Sequence, residues 1–162
     1  MHNEPKLADT DETIMACYPA LSQLRPHISE NQFLRRIRLQ QSSGYRLALL
    51  MEGSAASIGS ELVRCVAGFR ILENLAWGRV LYVDDLVTLE SARSGGYGKR
   101  MLDWLKEEAR SQGCQQLQLD SGVQRKDAHR FYEREGMDPN GLRFAFRIQE
   151  YRAGTRKKPP LA

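Results

Sequence analysis

No stretch of about 18 consecutive apolar residues occurs in the 162-residue chain, and its first residues lack a charged-then-apolar pattern. Neither a membrane span nor a secretory leader is therefore expected, and the sequence reads as cytosolic. Cysteine is scarce: Cys17, Cys65 and Cys114 are odd in number, far apart and without a Cys-x-x-Cys pair. That argues against a disulfide framework and predicts reduced, mostly buried thiols. The three histidines, His2, His27 and His129, include no closely spaced pair, so no metal is expected. Internal repeats and low-complexity blocks are missing as well. The Gly53 to Ser60 stretch is the one candidate linker, and it reads as a hairpin loop. A single domain over residues 1–151 with a basic tail at 152–162 follows.

Hydrophobic residues make up 41% of the chain, enough for one substantial core. The net charge of +4 has a local origin. Of the 24 Lys and Arg residues four lie between Arg152 and Ala162, where there is no acidic residue, and the remaining 20 face 20 Asp and Glu. The excess is a property of a solvated tail, and a nucleic-acid partner is not expected.

Asp9 and Glu12 have capping-box spacing before a segment in which Ile14, Cys17, Tyr18 and Leu21 share a helical face, which Pro19 should kink or split. Ser29 with Gln32 forms a second capping box and predicts a helix over 30–41. Tyr45–Met51 and Leu62–Leu72 read as antiparallel strands, and Val80–Thr88 as a third, its apolar run interrupted at Asp84 and Asp85. Met101, Leu102, Leu105 and Ala109 repeat at helical spacing before Gly113. Leu117 and Leu119 alternate with polar neighbours, so strand 80–88, the helix and strand 115–120 form a βαβ unit with a parallel pair. A helix over 126–134 and a closing strand over Leu142–Ile148 complete the reading.

Between the third strand and its helix lies Arg93-Ser94-Gly95-Gly96-Tyr97-Gly98. A loop turning on glycines can aim successive backbone N–H groups at one anion, helped by the positive end of the following helix. A Walker loop would need Gly at position 93 and Ser or Thr at position 100, and both are Arg. A dinucleotide fingerprint would need Gly or Ala at Met101. What remains, R-x-x-G-x-G, resembles the acyl-CoA loop of the GNAT superfamily of N-acetyltransferases. Residues 127–137 resemble that superfamily's second signature, A-x-x-[FL]-Y-x-x-x-G-[FM], matched by Ala128, Phe131, Tyr132, Gly136 and Met137. The wording of residues 120–137 is closest to small-molecule amine acetyltransferases such as the aminoalkylphosphonate enzymes.

The resemblance implies an α+β fold: a twisted mixed sheet, mostly antiparallel with one splayed parallel pair, flanked by about four helices. It implies acetyl-CoA as cosubstrate. The pantetheine arm would pair with the backbone of Leu86, Val87 and Thr88, and the pyrophosphate would rest on the loop of Arg93, Ser94, Gly95, Gly96, Tyr97, Gly98 and Lys99. Lys99 or Arg100 would add charge. Where the family commonly has Asn three residues before the motif Ala, this chain has Arg125, suited to a phosphate or an anionic substrate group. Tyr132 matches the family's general acid toward the CoA sulfur.

Asp84, Asp85 and Asp120 are the candidate bases. Adjacent strand residues face opposite ways, so Asp84 and Asp85 should not both face substrate unless a bulge intervenes. Tyr82 stands where many members have Glu. The activity so implied is direct attack of a small-molecule primary amine on acetyl-CoA in a ternary complex. A non-catalytic acyl-CoA-binding module, a protein or histone lysine acetyltransferase and a chromatin-associated protein stay open as alternatives. Many members pair, so a homodimer is compatible. The acceptor pocket is expected from the N-terminal helices and the 53–60 loop.

Overall fold

The computed structural model describes residues 4–53 and 62–148. The basic tail and most of the 53–60 loop therefore lie outside the described residues. The chain divides into two compact units, Met1–Leu119 and Asp120–Ala162.

The first unit is built on a five-stranded sheet in the order β1 (Lys6–Leu7), β2 (Arg46–Met51), β3 (Val63–Asn74), β4 (Gly78–Thr88) and β5 (Gln116–Leu119). The first four strands pair antiparallel and β4 pairs with β5 in parallel, Val80↔Gln116 through Val83↔Leu119. Strand β1 was not expected. With two residues it is too short to show a period, and its pairing of Lys6 with Leu49 and Leu7 with Ala48 is what defines it.

Helices α1 (Asp11–Ala16) and α2 (Tyr18–Leu24) are the halves of the split segment. Pro19 sits in the first turn of α2, where a missing N–H costs nothing. The cap of α1 is Thr10 rather than Asp9: the Thr10 and Thr13 side chains and backbones bond reciprocally. Helix α3 (Glu30–Gln41) has the expected bounds, but Ser29 makes no cap bond and its hydroxyl lies 2.6 Å from Asn31 Oδ1 instead.

Each sheet face has its own cluster. Leu47, Leu49, Met51, Val63, Val66 and Val87 meet Ile14, Leu21, Phe33 and Ile37 from α1–α3. Ala48, Leu50, Cys65, Ala67, Phe69, Leu81 and Val83 meet Met101, Leu105 and Ala109 of α4 (Tyr97–Ser111). Each large side chain so buried contributes about 1.5–3 kcal/mol. Cys17 and Cys65 are free and buried, and Cys114 is half-buried.

In the second unit α5 (Lys126–Arg134) forms with the expected bounds. Residues 142–148, expected to close the sheet, form no strand: Leu142, Phe144, Phe146 and Ile148 are 78–89% exposed. Alternation and β-propensity mark a segment that could pair, but a strand exists only when a ladder partner is present.

Candidate active site

Both aspartates of β4 lie on the face covered by α1–α3. The β3–β4 register passes from Gly68↔Asp85 to Phe69↔Val83, so Asp84 is an extra residue on β4. A bulge of this kind sets two neighbouring side chains on one side of the sheet. Their partners confirm the common face. Arg25, capping the C-terminal end of α2, donates from Nε to Asp85 Oδ1 (2.8 Å), and the Tyr45 hydroxyl donates to Asp85 Oδ2 (2.9 Å). Arg70 of β3 donates from Nε to Asp84 Oδ2 (2.7 Å) and reaches Gln40 of α3 at 2.8 Å. A second Arg25 nitrogen bonds the Asp84 carbonyl oxygen (3.1 Å), holding the bulge from above.

The two carboxylates are not equivalent. Both Asp85 oxygens are engaged, whereas Asp84 Oδ1 has no hydrogen-bond partner among the described residues. Burial lifts the Asp84 carboxyl above the usual carboxylate range and the nearby Asp85 charge adds to this, against the pull of Arg70. A carboxylate with one open oxygen and an upward-shifted pKa is better suited to take a proton from an ammonium than one locked between a guanidinium and a phenol. Tyr45 is pushed well above the usual tyrosine range, first by burial and then by Asp85. Its phenol therefore stays protonated as the donor to Asp85.

Tyr45 reaches Asp85 only because residue 68 is glycine. A Cβ there would lie 1.8 Å from the Tyr45 hydroxyl oxygen and 2.3 Å from Cζ. Arg25, Tyr45, Gly68 and Arg70 were not anticipated from the sequence. The one local signal was Gly68 itself, an isolated glycine inside a strand pattern, which marks a bulge or a close approach.

Beyond Val83 the β4–β5 ladder ends, so among the described residues 84–88 of β4 pair with β3 alone. Leu86, Val87 and Thr88 thus keep one edge of backbone groups outside any ladder. A 3-10 turn, Glu90–Ala92, leads into the glycine loop. Ser94 (φ 66°) and Gly96 (φ 77°) are both left-handed, and no side chain caps the first turn of α4. The amides of Ser94, Gly96, Tyr97 and Gly98 have no backbone acceptor among the described residues. These N–H groups at a helix start suit a diphosphate. Arg93 is exposed, Lys99 bonds Asp103 at 2.6 Å, and the Arg100 guanidinium stands 5.8 Å from the Tyr97 ring centre.

The remaining expected residues belong to the second unit. Asp120 is paired with Arg143 at 2.8 Å. Arg125 is exposed at the start of α5, and Tyr132 is half-buried with its ring edge-on to Phe131 at 5.4 Å. Phe131, matched by the second signature, is half-buried too. His129 Nε2 lies 2.9 Å from the Gly122 carbonyl oxygen. Among the described residues no group of three or more His, Cys, Asp or Glu is placed to hold a metal, and no helix is long and apolar enough to cross a membrane.

Comparison with known proteins gives one consistent result. The sequence model of the acetyltransferase (GNAT) family matches residues 9–137. An uncharacterized N-acetyltransferase, YhdJ, of Bacillus subtilis strain 168 is 38% identical over 116 residues, 71% of this chain and 77% of that protein. The aminoalkylphosphonate N-acetyltransferase of Salmonella typhimurium strain LT2 is 40% identical over 62 residues, 38% of this chain and 40% of that one. The crystal structure of a GNAT family acetyltransferase from Staphylococcus aureus superposes with a TM-score of 0.73 at 19% identity, covering 91% of this chain and 100% of that one.

Proposed function

Because the chain belongs to the acetyltransferase (GNAT) family, shown by the match over residues 9–137, we propose that this acyl-CoA-dependent N-acetyltransferase moves the acetyl group of acetyl-CoA to a small-molecule primary amine. The reaction takes place in the cytosol, with residues 1–151 acting as one catalytic domain. The observation that carries this reading is the run from Asp84 to Gly98. It joins a carboxylate with an open oxygen, a stretch of β4 backbone paired on one side only, and a turn of unbonded amides at a helix start. These three features suit in turn an amine, a pantetheine arm and a diphosphate.

An acceptor amine has a pKa near that of lysine, about 10.4, so at neutral pH it arrives as an ammonium and must lose a proton before it can attack. Asp84 takes that proton, directly or through water. Asp85, held by Arg25 and Tyr45, supplies fixed negative charge beside it. The amine nitrogen then bonds to the thioester carbon, the carbon–sulfur bond breaks, the Tyr132 hydroxyl gives its proton to the departing sulfur, and the second proton that the nitrogen sheds in becoming an amide restores the phenol through water. Asp120, paired with Arg143 in the second unit, is the weaker base candidate.

The test is a panel of primary amines with acetyl-CoA, read by thiol release and by mass of the product. It should span polyamines, aminoglycosides, amino acids, a lysine peptide and an aminoalkylphosphonate, the last because the Salmonella relative carries that name. Acetylation of at least one small amine is expected, with loss of turnover in Asp84→Asn. CoA binding without acetylation of any amine would make the protein a binding module, and acetylation of the peptide alone would make it a protein acetyltransferase.

A further inference from the structure

Along β3 the side chains alternate between the two clusters. Ala67, Phe69 and Ile71 pack in the cluster under α4, and Val66 in the one under α1–α3, so Gly68 and Arg70 share the Val66 side. Tyr45 occupies the space over Gly68, and the Arg70 guanidinium stands 5.6 Å from the Tyr45 ring centre. The same guanidinium is fixed at two points. Its Nε donates to Asp84 Oδ2 at 2.7 Å, and a terminal nitrogen donates to Gln40 Oε1 of α3 at 2.8 Å. A planar fork gripped twice and backed by a ring is held in one orientation. Arg25 ties the Asp84 carbonyl oxygen at 3.1 Å, so one arginine fixes the main chain of the bulged residue and the other its side chain.

The Arg70 and Asp84 side chains are 22% and 24% exposed. The pair is therefore screened less than a surface ion pair, yet the carboxylate is not sealed from a small molecule. The charged groups facing Asp84 are Arg70 from β3, Arg25 at the end of α2 and Asp85 beside it on β4. Burial and the Asp85 charge push its carboxyl up, while Arg70, by hydrogen bond and by charge, and Arg25 pull it down. Tyr45 and Cys17 are pushed up by burial and stay protonated, and α3 presents the neutral Gln40.

We propose that Arg70 is a positioning residue for the acetyl transfer, one nitrogen anchored on Gln40 and another fixing Asp84 Oδ2, so that Oδ1 alone is presented to the amine. This rests on the reading of Asp84 as the base and names what orients it. Arg70 also keeps the carboxyl ionised until the ammonium arrives, whereas burial alone would favour a protonated acid. Without the guanidinium the side chain could rotate, and neither oxygen would be reserved for the amine.

The test is the pH profile of kcat/KM for the amine that the panel shows to be acetylated fastest, in the full-length protein and its variants. The acid limb reports the base of the free enzyme. In Arg70→Met that limb should move to higher pH, with kcat/KM on its acid side falling about 10-fold, the low end for loss of an opposite charge beside a partly exposed carboxyl. Arg70→Lys, which keeps the charge without the fork, should return the limb toward the wild-type position. Gln40→Ala, an exposed change that spares the core, should leave the limb in place and lower plateau kcat several-fold, and an unchanged kcat would overturn the anchor. Arg110→Met, the same charge change in an exposed pair on α4, should move nothing. Carboxyl NMR of aspartate-labelled protein reads the same hold without turnover: the Asp84 signal, identified by its loss in Asp84→Asn, should titrate at higher pH in Arg70→Met. A limb and a signal that both stay put overturn the part given to Arg70. Normal turnover in Asp84→Asn overturns the base itself, and the proposal with it.

Discussion

Replacing Gly68 with alanine should be strongly destabilising for a reason that lies entirely in Tyr45. The new Cβ would sit 1.8 Å from the tyrosine hydroxyl oxygen, 2.3 Å from Cζ and 2.5 Å from Cε2, distances no side chain tolerates. Tyr45 is only 4% exposed, so the ring has little room to shift and must leave, giving up its bond to Asp85. Forcing a methyl into such a site costs about 1–3 kcal/mol, and losing a hydrogen bond to a charged group about 1.5–3 kcal/mol. The sum, about 2.5–6 kcal/mol, corresponds to a fall in melting temperature of roughly 5–25 °C in a chain of this size. The backbone at residue 68 is not left-handed, so alanine has no intrinsic objection to it. With the ring removed by Tyr45→Ala, the same Gly68→Ala change should be neutral or stabilising by about 0.5–1 kcal/mol, because glycine in a strand loses more chain entropy than alanine. Urea unfolding of the four proteins of this cycle reads the sign directly. A Gly68→Ala cost that is the same in both backgrounds would refute the coupling, and with it the account of how Asp85 is held.

Asp84→Asn should lower kcat at neutral pH by about 100-fold or more while acetyl-CoA affinity holds, as expected on losing a general base; unchanged kcat would remove Asp84 from the mechanism. The same variant reports on stability. The Asp84 pKa is raised in the folded state, so the carboxyl favours folding below its unfolded pKa of about 3.9 and loses that contribution as pH rises through the folded value. The unfolding free energy of the wild type minus that of Asp84→Asn should therefore decline from about pH 4 upward, and a rise would contradict the burial argument. Tyr132→Phe should reduce kcat about 100-fold with CoA binding unaltered in calorimetry, and an equal loss of binding would make the phenol a cofactor contact instead. Gly96→Ala meets no atom within 4 Å but must adopt φ 77°, so it should cost about 1–2 kcal/mol by strain alone and weaken CoA binding; preserved binding would show that the loop is not the diphosphate cradle.

The helices and most strands were legible because their signals are local. The helical spacing of Met101, Leu102, Leu105 and Ala109 before Gly113 marked α4, for example. The sequence also posed the right question about Asp84 and Asp85, whether a bulge joins them on one face. The answer lies in a register shift against β3, set by residues across the ladder and invisible in either strand alone. Arg25 and Tyr45 find Asp85 across 60 and 40 positions of chain, and no periodicity encodes such a pairing. The Leu142–Ile148 segment failed in the opposite direction: its own alternation is complete, and the missing information was the partner that a strand requires.

That segment also governs how the protein behaves in the tube. Four bulky apolar side chains are exposed in one short run, and since Arg143 is paired with Asp120, Arg147 is the charge between them that opposes the approach of a second copy. Electrolyte weakens that repulsion and leaves the greasy contacts intact. Concentrated stocks should therefore stay clear in dilute buffer and cloud as sodium chloride is added, the reverse of ordinary salting-in.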